Sequence, residues 1–307
     1  NQPELAGFLA ELRALVDERP GRMTVGELFD GTATDAASLV EPRHLVFDWA
    51  TMFVPWDATA FRNAVTAREA VFGPDRWPAN ALSNHDQPRH ASRFDLPGTG
   101  VDGEGDARAK VAAAILLTLR GTPFLYYGEE IGKRNISVPR DRAADPFALH
   151  AEPGRDVFNR DECRGPIAWT GDPPGFGYTS GTPWLPFSPE APERNVAAQA
   201  ADPDSILSWY RRLLAFRAAT PALHEGDQEL LGVGDPDVIT YLRTAPDGAR
   251  AFVALNFANR EASAAAPAAQ AGASWRVGLS THPRGLGEVL PGDMTLAPNE
   301  ALIAVER

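Results

Sequence analysis

The chain has 307 residues, 44% of them hydrophobic, which suits one large folded unit with a smaller one and is ample for a packed core. A net charge of −12, with no Lys/Arg cluster longer than Arg211-Arg212, excludes the concentrated positive charge that a nucleic acid or an anionic membrane needs in a partner, and favours neutral substrates. The single cysteine, Cys163, cannot form an internal disulfide, and no apolar run approaches the roughly 18 residues of a membrane span, so a cytoplasmic protein is expected. The N-terminus has no basic region, no apolar signal core and no methionine, and Asn1 is expected to be the start of a fragment or cleaved piece.

From Pro3, the residues Leu5, Phe8, Leu9, Leu12, Leu15 and Val16 recur at helical spacing until Pro20-Gly21, which predicts an amphipathic helix. Met23 to Phe29 predicts a short strand, and a stretch rich in Thr, Asp and Ala separates it from a second around Leu45-Val46-Phe47. Asp57 to Phe72 reads as a helix, and Trp77-Pro78-Ala79-Asn80-Ala81-Leu82 leads into a third strand. A loop heavy in Gly and Asp, Asp95 to Gly105, precedes a helix from Asp106 to Leu119; Gly121-Thr122-Pro123 breaks it, and Phe124-Leu125-Tyr126-Tyr127 forms a fourth strand. Strands alternating with helices at this spacing imply parallel βα units, for which a barrel of eight is one solution. Only about four units are visible, and half a barrel would leave unpaired strand edges, so the other half is expected upstream of Asn1.

Gly132 to Glu193 is dense in Pro, Gly, Asp and Arg and predicts a long excursion of loops, a kind of segment that tends to be functional. Asp204 to Thr220 returns to a helix carrying Ile206, Leu207, Tyr210, Leu213 and Leu214. After Pro221 the texture changes: Val238 to Leu242 and Ala251 to Phe257, joined through Pro246-Asp247-Gly248, form a hairpin, with further strands at Trp275 to Leu279 and Ala301 to Val305. The expected architecture is therefore α/β: residues 1–225 as the second half of a (β/α)8 TIM barrel with long loops, and residues 226–307 as an all-β antiparallel C-terminal domain, a β-sandwich.

At the C-terminal ends of barrel strands side chains face a shared bowl, which gives polar residues there a functional weight. Glu27 follows the apolar run Met23-Thr24-Val25-Gly26, and His85-Asp86 lies in Ala81-Leu82-Ser83-Asn84-His85-Asp86-Gln87-Pro88-Arg89. Two carboxylates flanking a glycosidic bond are what glycoside chemistry requires. Taken singly, Glu27 equally fits a solvated glutamate and Asp86 a helix cap; the nine-residue block with its strand is the stronger signal. No Cys/His metal spacing and no Gly-rich phosphate loop followed by Lys occurs.

Asn84-His85-Asp86-Gln87-Pro88-Arg89 with Val25-Gly26-Glu27 resembles the α-amylase superfamily, glycoside hydrolase family 13-like, in its α-glucosidase and oligo-1,6-glucosidase branch. The resemblance continues through Leu119-Arg120-Gly121-Thr122-Pro123, Tyr126 to Gly132, Arg160-Asp161-Glu162-Cys163-Arg164-Gly165-Pro166, Pro183-Trp184-Leu185 and Asn195-Val196-Ala197-Ala198-Gln199, covering the chain to about Glu225. It implies that Glu27 is the general acid/base, and that Asp86, which must stay ionised, holds sugar hydroxyls and stabilises the transition state with His85. It also implies that Arg160 binds the terminal glucose with Asp161 positioning it, and that Arg164 is structural. Arg89 either lines the pocket or anchors the carboxylates by charge pairing, with anchoring ranked first. Glu129 and Glu130 are expected to be structural, and Trp49, Trp56, Trp169 and Trp184 could stack on sugars or anchor loops. Where the family has Thr-Pro-Met-Gln-Trp this chain has Gly165-Pro166-Ile167-Ala168-Trp169.

In the family the nucleophile is an aspartate in a Gly-Phe-Arg-x-Asp setting, a sequence absent from this chain. Asp17, Asp30 and Asp48 lack that setting. The resemblance thus implies a retaining, exo-acting α-glucosidase acting on small neutral α-glucosides, whose nucleophile lies upstream and whose partner is the N-terminal half of the same enzyme. A calcium ion, where relatives bind one, belongs to that half, and no cofactor is expected in this chain. The alternatives are a related transferring or isomerising enzyme, such as a sucrose isomerase or trehalose synthase, and a non-catalytic amylase-fold interaction module.

Overall fold

In the computed structural model, residues 4–28, 33–39, 44–95, 104–150, 158–232 and 234–307 are described. Nine helices and eleven strands occur among them. The helices are α1 (Glu4–Asp17), α2 (Ala33–Ser38), α3 (Ala58–Phe72), α4 (His90–Arg93), α5 (Glu104–Thr118), α6 (Pro146–Leu149), α7 (Val196–Ala201), α8 (Ile206–Ala218) and α9 (Pro221–His224). The strands are β1 (Val25–Gly26), β2 (Leu45–Asp48), β3 (Ala79–Asn80), β4 (Thr122–Pro123), β5 (Asp227–Leu230), β6 (Val238–Thr244), β7 (Arg250–Asn256), β8 (Ala262–Ala265), β9 (Trp275–Ser280), β10 (Asp293–Leu296) and β11 (Ala301–Glu306).

The first four strands form a parallel sheet in the order β1-β2-β3-β4, so every connection is a crossover. The fourth strand falls earlier than the apolar run Phe124 to Tyr127 suggested. Thr122 and Phe124 donate their amides to Pro78 O and Asn80 O, so the residue between them, Pro123, turns its missing N–H away from β3. Gly121 makes this possible: it has φ +130°, and a Cβ there would lie 2.7 Å from the Asn80 amide. The expected end of the first strand at Phe29, and most of the Asp95 to Gly105 loop, lie outside the described residues.

Below the sheet the chain is tied by buried arginines. Arg68 donates to Asn80 Oδ1 at 2.7 Å and to Glu69, and Arg120 donates to Glu69 Oε2 at 2.8 Å and to the carbonyl of Gly73. These bonds join the end of α3 to β3 and to the turn before β4, on the face where barrels invest in stability.

The expected helix after Asp95 is α5, and it is apolar all round: every residue from Val111 to Thr118 is buried. It can be so because α8 covers one side and the C-terminal sheet another. That sheet runs β5-β6-β7-β11-β9, antiparallel throughout. Its hairpin turns at Ala245 to Gly248, where Gly248 takes φ +88° and Asp247 accepts from Ala249 N.

Both faces of this sheet are buried. Ile239, Tyr241, Val253, Leu255 and Ile303 point into one core with α3, α5 and α8, including Phe61, Leu117 and Trp209. Their strand neighbours Val238, Leu242, Phe252, Ala254 and Leu302 point to the other side and pack on Ala262, Ala264, Met294 and Leu296 of the two-stranded β8-β10 sheet. Residue 226 lies between α9 and β5, but the apolar core runs across it. Polar ties follow the same route: Trp56 Nε1 donates to Phe257 O at 2.9 Å, and Arg62 reaches the carbonyls of Leu231 and Val238 at 2.9 Å.

Arg243 is the clearest of these ties. It is fully buried, burial holds its pKa down to about 9, and it donates to the carbonyls of Thr118, Leu223, Gly226 and Asp227. Replacing it by Met would leave buried carbonyls without donors, each costing about 1–3 kcal/mol. Arg243→Met is therefore expected to lower the thermal unfolding midpoint by several degrees, read by circular dichroism, and an unchanged midpoint would show that the tie contributes nothing.

Candidate active site

The site lies at the C-terminal ends of the parallel strands. Glu27 follows β1 and Asp86 lies in the loop after β3, with β2 between them, so the two strand ends stand about 10 Å apart. Glu27 is exposed in this chain.

The loop that carries Asp86 is held from within. Asn84 Oδ1 accepts from Asp86 N at 2.9 Å, and Ser83 Oγ, buried, accepts from His90 N at 2.9 Å. Asp86 Oδ1 takes two guanidinium bonds, from Arg164 Nη2 at 2.8 Å and Arg160 Nη1 at 3.2 Å. Arg164 Nε also holds His85 O at 2.8 Å. Asp86 Oδ2 has the exposed His85 ring beside it, with Nε2 at 3.5 Å. One oxygen of Asp86 is thereby committed to the protein, and the other faces an imidazole that a sugar hydroxyl could share.

Arg160 opens the 3₁₀ turn Arg160–Cys163, which Asn159 caps by accepting from Asp161 N. Its other side meets Asp145, whose carboxylate accepts from Arg160 N, Nε and Nη2, the last at 2.6 Å. The guanidinium holds the Asp145 carboxyl down to about 2, and Arg160 is raised in turn. The expectation that Asp161 positions Arg160 is refined by this geometry, because Asp161 acts one layer back, through Asp145. Asp161 is buried, and its Oδ2 accepts from Ala144 N at 2.7 Å and Asp145 N at 2.9 Å, so it shapes the backbone that presents Asp145.

Arg89 is corrected as well. It is buried, donates to Cys163 O at 3.0 Å and Tyr127 O at 2.7 Å, and lies against the Tyr126 and Tyr127 rings. It neither lines the open site nor pairs with the carboxylates; it pins the Arg160 turn to the segment after β4. Carbonyl oxygens at a loop junction need donors, and a fork of five N–H groups supplies several at once. Arg164, expected to be structural, holds the Asp86 carboxylate and the His85 carbonyl directly.

Asp145 is the residue that the sequence reading missed. Asp145-Pro146 carries the signal of a helix start, a capping acid before Pro at the first helical position, and Asp145 Oδ1 does accept from Phe147 N at 3.1 Å. Nothing local indicated that the same carboxylate would meet an arginine fifteen residues on. Among the other candidates, Glu129 is buried with Oε1 3.5 Å from His90 Nδ1, and Glu130 accepts from Gly128 N. Trp49 and Trp56 are half-buried and bonded to backbone carbonyls, whereas Trp169 and Trp184 are exposed. Among the described residues no group of three or more His, Cys, Asp or Glu side chains is placed to hold a metal ion, and no helix is long and apolar enough to cross a membrane.

The family model for the α-amylase catalytic domain matches residues 1–226. The chain belongs to the α-amylase family. It is 38% identical over 237 residues to a probable α-glucosidase of Rhizobium meliloti, covering 75% of this chain and 42% of that protein. It is 30% identical to an oligo-1,6-glucosidase of Parageobacillus thermoglucosidasius, covering 80% of this chain and 48% of that one. The chain thus spans about half the length of these curated relatives. Among solved structures, the trehalulose synthase of Pseudomonas mesoacidophila MX-45 superposes with a TM-score of 0.84 at 26% identity, over 100% of this chain and 59% of that one. These neighbours belong to the family's fold, a barrel followed by an antiparallel C-terminal domain.

The Asp145–Arg160 pair has a pH signature. The folded value of Asp145, about 2, lies below its ordinary 3.8, so the pair's contribution to stability is fully present above pH 4 and is lost as the pH falls through 2. Asp145→Asn should therefore destabilise the protein at pH 5, with the deficit shrinking toward pH 2.5 in urea unfolding; a deficit independent of pH would argue against the pairing.

Proposed function

We propose that this chain supplies the acid/base and sugar-binding part of a retaining, exo-acting α-glucosidase. The observation that carries the reading is Asp86, fixed through Oδ1 by Arg160 and Arg164 at the end of a parallel sheet, with Oδ2 beside His85. A carboxylate held in this way can accept sugar hydroxyls, and its bonds strengthen as the anomeric carbon gains positive character, which favours the transition state over the substrate. Glu27 donates a proton to the leaving oxygen and then takes one from the water that resolves the covalent intermediate. The nucleophile is an aspartate outside these 307 residues, since no Gly-Phe-Arg-x-Asp sequence occurs among them.

The rest of the barrel has a place to dock. Among the described residues β1 pairs only with β2 and β4 only with β3, leaving both sheet edges open, while Phe8 and Leu15 of α1 and Met23 just before β1 are exposed. A first half-barrel pairing with both edges would close the sheet, cover these side chains and desolvate Glu27. A second reading, glucosyl transfer or isomerisation, is supported by the likeness to trehalulose synthase over the whole chain.

The test uses the full-length protein on maltose, isomaltose, sucrose and an aryl α-glucoside. Glu27→Gln is expected to reduce turnover of the disaccharides by about 10²–10⁴ and of the activated aryl glucoside far less; equal losses would remove Glu27 from the acid role. Asp86→Asn should cripple all four, and glucose as the product of sucrose separates hydrolysis from isomerisation.

A further inference from the structure

We propose that Asp145 is a positioning residue whose carboxylate sets the Arg160 guanidinium so that Nη1 reaches Asp86. The inference rests on the reading of Asp86 as the sugar-holding carboxylate. Asp145 is 1% exposed, and among the described residues its carboxylate accepts from Arg160 and from Phe147 N, so its link to Asp86 runs through Arg160. Three donors of Arg160 converge on it: the backbone N at 3.0 Å, Nε at 3.0 Å and Nη2 at 2.6 Å. The remaining nitrogen, Nη1, is the one that meets Asp86 Oδ1 at 3.2 Å. The guanidinium is planar, so fixing Nε and Nη2 in one fork fixes the direction in which Nη1 points.

Capping does not account for this arrangement. The cap of α6 uses a single bond, from Phe147 N to Oδ1, while among the described residues Oδ2 accepts only from Arg160. The layer behind is built for the same end, because Asp161 holds the amides of Ala144 and Asp145 and so fixes where the carboxylate stands. Asp161, Asp145, Arg160 and Asp86 thus form a relay of orientation from a buried carboxylate to the one facing substrate. Arg160 is itself 29% exposed and would otherwise sample several rotamers; the fork orders it before substrate arrives, which is where preorganisation gains rate. Arg164 grips Asp86 independently, so loss of the relay weakens the site without emptying it.

The experiment compares Asp145→Asn, Arg160→Gln and the double variant in the full-length protein, measuring kcat and KM on an aryl α-glucoside. Asn keeps the size and the cap but turns an amide N–H₂ toward the guanidinium donors. Asp145→Asn is expected to lower kcat/KM by about 10- to 100-fold, and to add less than about threefold in the Arg160→Gln background, since two members of one relay are not additive. Losses that multiply, or a single-variant loss under threefold, overturn the proposal. Asp145→Ser, which also caps but cannot form the fork, serves if the Asn variant does not fold and should behave alike. Normal activity of Asp86→Asn would defeat the functional reading instead. Even then a crystal structure of the Asp145 variant decides the relay: Arg160 must leave hydrogen-bond reach of Asp86, and its retention there refutes it.

Discussion

Two guanidiniums converge on one oxygen of Asp86, and the local architecture at that end of the sheet follows from keeping them there. Arg160 and Arg164 lie on the far side of a long excursion from β4, more than seventy residues beyond Asp86 in the chain. A loop of that length loses considerable entropy on ordering, and its backbone groups find few partners in regular structure. Both demands are met by side chains that reach carbonyls. Arg89 clamps the Arg160 turn to Tyr127 O and Cys163 O, and Arg164 ties the same turn to His85 O. The excursion is thereby fastened to the segment after β4 and to the loop after β3.

The same device recurs below the sheet and at the C-terminal interface. Of the 29 basic residues only Lys110 and Lys133 are lysines. Arg68, Arg120, Arg217 and Arg243 are each at or under 9% exposed and donate to main-chain carbonyls. A lysine ammonium placed there would bring a compact, strongly hydrated charge and no planar fork; burial holds the Lys133 ammonium down to about 8. An arginine bonded to several carbonyls spreads its charge over partners that the loops leave available. The acidic overall composition and the basic interior are thus consistent: the positive charge is used inside as a hydrogen-bond donor set.

How much of this was legible in the sequence depended on the range of the interaction. The α3, α5 and α8 helices and the β6-β7 hairpin were readable because their signals are local: a capping Asp57 or Ser205, apolar spacing, and Asp247-Gly248 in the turn. β4 was misplaced because its apolar run, Phe124 to Tyr127, marks the residues that follow the strand, while the ladder bonds come from residues flanking a proline. β5, β8 and β10 are four residues long, too short for their alternation to stand out from the flanking loops, and went unread. At the candidate site, Glu27, His85, Asp86 and Arg160 were singled out by their motifs, and the structure brings Asp86, His85 and Arg160 together. Asp145 and the true partner of Arg164 were not, because a contact across fifteen or seventy-eight residues leaves no periodic trace in either segment.

The C-terminal sheet shows the other limit of pattern reading. β6 and β7 are nearly continuous apolar runs, a texture usual for strands buried on both faces rather than for a sheet with one wet side. Alternate residues of each strand serve two different cores, one shared with α3, α5 and α8 and one with the β8-β10 pair. A one-residue slip in register would exchange the two sets, sending Tyr241, whose hydroxyl meets Thr118 of α5, toward β8 and β10. The hydroxyl would then lose a buried partner while Arg243 lost its carbonyls, both at once. Register in this sheet is therefore fixed by the side packed on α3, α5 and α8, and the C-terminal strands are a wall of that shared core, which is why α5 can be as apolar as it is.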